Sequence, residues 1–130
     1  MARAYTIATA ALTLRVQAKW LDNTLSHIRV PGVKQERQGV ARRITIDGML
    51  ILGIAALLIH ELSMPLAAAI AIAQGLARNG GEHTTREGVW IRLNLERLRS
   101  TLLERLETAV EIAPLPRRGR PPKTKTGRLN

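Results

Sequence analysis

Apolar positions recur at helical spacing along most of this chain. Ile7, Ala10, Ala11 and Leu14 fall on one face, and Thr6 just before them is a good N-cap. A break at Arg15-Val16 separates them from QAKWLDNTLSH, residues 17–27, whose inward stripe is Leu21, Leu25 and Ile28. Two short helices with a tight turn between them predict a helix-turn-helix unit. Pro31 and Gly32 stop the second helix. Two short extended arms, Val33–Glu36 and Val40–Ile44, then flank Gln38-Gly39, which reads as a hairpin tip. A hairpin in this place is a wing.

Thr45 caps the next expected helix, with Asp47 in its first turn favourable to the helix dipole. That helix runs to about His60. Its run Met49–Ile59 is wholly apolar but about half the length of a membrane span, and His60, Glu61 and Pro65 prevent its extension. A buried helical hairpin is the reading. Ser63 is expected to cap the second arm, with Pro65 in its first turn. The stretch LAAAIAIAQGLA is rich in small residues, which permits close approach. Residues 78–88, RNGGEHTTREG, read as a loop.

The period then changes. Val89, Ile91, Leu93 and Leu95 alternate with Trp90, Arg92 and Asn94, a strand signal. Helical spacing returns with Leu98, Leu102 and Leu106, widened by Leu103 and Val110, while Glu104 and Glu107 among arginines form a solvated face. Beyond Pro114 and Pro116 the chain is Pro, Gly, Lys, Arg and Thr, which cannot bury a core. The expected fold is mainly α. It is a winged helix-turn-helix with a small β-hairpin, then one strand and one helix, then a disordered basic tail. The expected divisions are a DNA-binding domain over 1–77, a loop over 78–88, a strand–helix dimerisation element over 89–113 and the tail over 114–130.

Composition narrows the chemistry. The chain of 130 residues is 45% hydrophobic, only 2% aromatic and free of Phe, so its core is aliphatic and suits packed helices. It has no Cys, which excludes disulfides, thiolate catalysis and Cys-ligated metals. His27, His60 and His83 are scattered, and HELSM lacks the second His of a zinc-protease helix. No Ser/His/Asp set, phosphate loop or paired carboxylate is visible. The expectation is a non-enzyme with no cofactor and no metal. Met1–Leu14 lacks the basic-then-apolar order of a secretory signal.

Charge placement says more than its total of +10. Residues 1–46 hold eight Lys/Arg against two acids, residues 47–116 hold six against eight, and residues 117–130 hold six against none. Basic charge at both ends of a near-neutral middle points to a polyanion. Neither end carries large apolar groups for a membrane anchor, so nucleic acid is expected and membrane is not. On the second helix, Gln17, Lys19, Asp22, Asn23 and Ser26 lie away from the leucine stripe. Gln and Asn can pair with adenine, Lys can read guanine or phosphate, and Asp can accept from cytosine or repel the backbone. The bland alternative is an ordinary polar helix face. At the hairpin, Arg37, Gln38, Gly39, Arg42 and Arg43 suit backbone or minor-groove contact. The lone strand needs a partner. A second copy of the same strand answers that need, with Val89, Ile91, Leu93, Leu98, Leu102 and Leu106 as the dimer interface. The alternative is pairing with Ala4–Thr6 or with the wing.

Residues 5–77 resemble the winged-helix DNA-binding domain of MerR-type regulators. Ile7, Ala10, Ala11, Leu14 and Val16 match the first part of its pattern, Gly39, Arg42, Arg43, Thr45 and Asp47 its wing and cap, and Ser63, Leu66 and Ile70 approximately its last helix. The resemblance implies double-stranded DNA as partner and transcriptional regulation in a bacterial cytoplasm, on the nucleoid. Two departures stand out. Asp22 replaces the arginine usual in the middle of the recognition helix. The long dimerising helix and effector domain are replaced by a strand and one helix, so no small-molecule effector is evident. Phage excisionases share a similar winged helix, which keeps a DNA-bending accessory role open. An RNA- or ribosome-binding basic protein is the third alternative. The tail looks like an AT-hook. Its Gly119-Arg120-Pro121 core, flanked by Arg117, Arg118 and Lys123, implies contact with an A·T-rich minor groove.

Overall fold

Two threonines start the helices on which the rest is built. A computed structural model describes residues 3–35 and 39–112 of the chain. Thr6 Oγ1 accepts from the Thr9 N–H at 3.1 Å and opens α1, Ile7–Leu14. The helix closes with Arg15 in the left-handed region at φ 58°. The Val16 N–H donates to Ala11 O at 3.0 Å, and the Arg15 N–H to Leu12 O at 3.3 Å. This closure usually has glycine where Arg15 stands, and an L-residue there costs about 1–2 kcal/mol. After the turn, α2, Ala18–His27, directs Leu21, Thr24 and Leu25 inward, with Ile28 half-buried just beyond its end.

The hairpin is present, with shorter arms than expected and one more strand. β1, Ala4–Tyr5, and β2, Val33–Lys34, both pair antiparallel with β3, Arg43–Thr45. Tyr5 and Val33 face Ile44 from either side, and Ile44 is fully buried. Thr45 then serves sheet and helix together. Its Oγ1 donates to Gly32 O at 2.9 Å and accepts from the Gly48 N–H at 3.2 Å, capping α3, Ile46–Leu62. Thr45→Val keeps the shape and removes both bonds. We expect a loss of about 1–2 kcal/mol by chemical denaturation, with Thr45→Ser close to the parent. Equal loss in both variants would mean that the hydroxyl is not the cause.

The unbroken apolar run forms a helix buried on most sides. Met49, Leu50, Leu52, Ile54 and Ala55 of α3 are all at most 4% exposed, because α1, α4 and α5 cover it. The helical hairpin is as expected, with Ala69 and Ala73 of α4, Leu66–Arg78, fully buried in its contact with α3. No helix among the described residues is long and apolar enough to cross a membrane. Ser63 requires a correction. It does not start α4 but ends α3, in the left-handed region at φ 54°. Pro65, extended at ψ 146°, precedes α4, and its carbonyl accepts from the Ala69 N–H at 2.9 Å. Proline disfavours helical backbone in the residue before it, which keeps Met64 and Pro65 out of either helix.

The stretch 78–88 is not only a loop. It contains β4, Glu82–Thr84, which pairs antiparallel with β5, Trp90–Arg92, in the register His83↔Ile91. Gly80, Gly81 and Gly88, all at positive φ, let the chain enter and turn this hairpin. The strand is therefore three residues long, where 89–95 was expected, and its partner lies in the same chain. Neither Ala4–Thr6 nor the wing takes that place. α5, Leu95–Ile112, comes next, with Asn94 Oδ1 accepting from the Arg97 N–H at 3.0 Å.

The proposed dimer face is corrected in the same way. Leu102 and Leu106 are 7% and 6% exposed and belong to the chain's own core, where α5 packs on α1 and α3. Ile91, Leu93 and Leu98 pack partly buried against that core. Of the six residues, Val89 alone is largely exposed, next to Trp90 at 61%. An amphipathic stripe says that a helix needs a cover, and here the cover is intramolecular.

Candidate nucleic-acid interface

α2 offers its outer face to solvent. Lys19, Asp22, Asn23 and Ser26 are exposed at i, i+3, i+4 and i+7, opposite buried Leu21, Thr24 and Leu25. Gln17 is exposed at the N-cap position, and its side chain makes no capping bond. Ser26 Oγ donates to Asp22 O at 2.9 Å within the helix. His27, with Nδ1 2.8 Å from Asn23 O, shares this exposed face. Sequence reasoning passed over it, although Lys19, Asn23 and His27 succeed one another at i+4.

The hairpin stands beside that face and is joined to it. Arg42 Nη1 donates to Asp22 Oδ1 at 3.0 Å. The Arg42 side chain is 21% exposed and that of Asp22 is 56% exposed, so the bond runs from the half-covered root of the hairpin to the open helix surface. The Gln35 side chain donates to Val40 O at 2.9 Å across the tip. Gly39 is exposed at φ 89° with no heavy atom near its missing side chain. Arg37 and Gln38 lie outside the described residues, as do Arg117, Arg118, Gly119, Arg120, Pro121 and Lys123 of the tail.

One cation emerged only from the register. Lys34 on β2 stands directly opposite Arg43 on β3, and both are exposed. Like charges facing each other across a strand pair are destabilising unless an anion lies between them. Lys19, Arg29, Lys34 and Arg43 take part in neither of the two salt bridges found among the described residues. Among the described residues the surface made by α2 and the hairpin is thus cationic, and Asp22, the one acid on it there, is paired. No protein-family model matches this chain, and no curated protein matches it either.

Proposed function

We propose that this protein binds double-stranded DNA sequence-specifically as a MerR-like transcriptional regulator, in a bacterial cytoplasm on the nucleoid. The outer face of α2 enters the major groove, Asn23 and Gln17 address base edges, and Lys19 reads guanine or phosphate. Arg43, Lys34 and the hairpin tip take the backbone or the adjoining minor groove. The observation that carries this reading is the Arg42–Asp22 bond between recognition face and hairpin. It pairs the one acid on a helix that must approach phosphates, and it joins the two contact elements. A homodimer fits a palindromic site. Exposed Val89 and Trp90, adjacent on the second hairpin, are one apolar surface that could serve it.

The Lys34↔Arg43 pair supplies the test, because binding and stability respond in opposite directions. Replacing both by alanine is expected to weaken duplex affinity about tenfold and to lower the slope of log K against log salt by about 2. The same variant should melt no lower than the parent, since cross-strand repulsion is relieved. Fluorescence anisotropy on a labelled duplex and thermal denaturation read the two effects. Unchanged affinity would overturn the assignment of this surface. Preference for double-stranded RNA over the same duplex as DNA would overturn the major-groove reading, since an A-form major groove does not admit α2.

A further inference from the structure

A groove of about 550 Å³ opens where the α1–α2 turn, the second half of α3 and the middle of α5 meet. Its size falls in the range of small-molecule sites. Its floor is aliphatic. At Gly53 a side chain would come within 3.1 Å of Leu102 Cδ1 and 3.3 Å of Leu14 Cδ2, so glycine at this point lets the two leucines close over α3 as a continuous floor. Trp20 forms part of one wall. Two guanidiniums, Arg15 and Arg105, lie at the groove together with His60. Asp and Glu are absent from its lining among the described residues, and neither arginine is in a salt bridge found among them.

Two like charges beside an apolar floor make the groove attractive to an anion. Burial, and then the charge of Arg15, hold the Arg105 guanidinium below its ordinary value. Arginine nonetheless stays protonated in proteins, so an anion seated between the two would be held by both charges. Guanidinium forks match carboxylates, often with two parallel hydrogen bonds. The aliphatic floor is unsuited to a bare inorganic ion and suited to a hydrocarbon body.

We propose that this groove binds a small amphiphilic carboxylate, with its apolar body on the Leu14–Gly53–Leu102 floor and its carboxylate between Arg15 and Arg105. Such an occupant also touches Trp20 and Gln17 in the first turn of α2, the helix that bears the candidate interface. The site stands on the groove alone and is tested without DNA. Its failure and the failure of the duplex reading are therefore separate results.

Trp20 makes the experiment direct. The chain has two tryptophans, and Trp90 is 61% exposed on the second hairpin. In full-length Trp90→Phe protein, emission excited above the tyrosine band comes from Trp20 alone. Titration with decanoate below its micelle concentration is expected to shift that emission saturably. Decanol and acetate should each bind at least about tenfold more weakly, since one lacks the charge and the other the body. Arg105→Gln in the same background should weaken decanoate about tenfold and leave decanol unchanged, and Arg105→Lys should recover part of the loss. Arg15→Gln, at the exposed end of the turn, repeats the test should Arg105→Gln not fold by circular dichroism. Decanol or acetate binding as tightly as decanoate would overturn the proposal. So would decanoate affinity indifferent to both arginines, or no saturable shift at all.

Discussion

Replacing Gly32 by alanine is expected to destabilise the protein by about 3 kcal/mol and to lower its melting temperature by roughly 10–15 °C. Two effects add at this position. Gly32 stands at φ 87°, which L side chains rarely adopt. A methyl group there would also lie 2.6 Å from Thr45 Oγ1 and 2.7 Å from Gly48 Cα, and the backbone has no room to yield. Gly48, on the first turn of α3, faces back onto the Gly32 carbonyl carbon and oxygen, each 2.9 Å from where its own methyl would be. The two glycines let strand and helix backbones touch, and Thr45 fastens the contact from between them.

Gly39 separates the two causes. It has nearly the same φ, 89°, but no atom within 4 Å of a built methyl group. Gly39→Ala should therefore cost only the conformational part, about 1 kcal/mol. Thermal circular dichroism on both variants measures the difference. Gly32→Ala no worse than Gly39→Ala would show that the close approach does not hold the hairpin. The consequence reaches the interface, because the same contact sets Arg42 and Arg43 beside α2. Gly32→Ala protein that stays folded should thus also lose duplex affinity.

Deleting residues 114–130 is expected to produce the largest change in DNA binding. It removes six Lys/Arg. If each meets a phosphate, the slope of log K against log salt falls by about 5, and affinity at low salt falls by orders of magnitude. The sequence of the duplex tells how the tail acts. An arginine drawn into a narrow A·T minor groove makes the loss greater on AT-rich flanks than on GC-rich ones. Arg120→Ala, at the centre of Gly119-Arg120-Pro121, should reproduce the AT-selective part of the loss with a slope change of only about 1. Equal loss on both flanks would leave a plain electrostatic arm. The gain from a tethered second contact comes from effective concentration, so isolated tail peptide should bind far more weakly than its contribution in the full chain.

What the amino-acid order determined by itself was local. Thr6 and Thr45 cap the helices expected of them, and Leu21 and Leu25 point inward as their spacing requires. Caps and periodicity act within one or two turns, and those interactions do not depend on the rest of the chain. Pro31-Gly32 likewise marked the entry to the hairpin, and the outward residues of α2 were legible once its inward stripe was known. Ser63 failed as a starting signal because Pro65 disfavours helical backbone at Met64, so no helix starts directly after Ser63.

The tertiary structure decided everything that needs two distant segments to meet. The strand 90–92 looked solitary, because its partner, Glu82-His83-Thr84, is short, polar and set among glycines. Leu102 and Leu106 form a stripe that would serve a second subunit or the chain's own α1 and α3 equally well, and only packing chose the latter. Asp22 read as a departure that puts an acid where the family has an arginine, and only the fold brought Arg42, twenty residues away, to bond it. Lys34 became part of the candidate surface through register, and Arg15, Trp20 and Arg105 came together through the crossing of helices that contribute no shared pattern to the sequence. Hydrophobic periodicity states which face of an element must be covered. It carries no information on what covers it, since burial is non-directional and any apolar partner of suitable shape satisfies it.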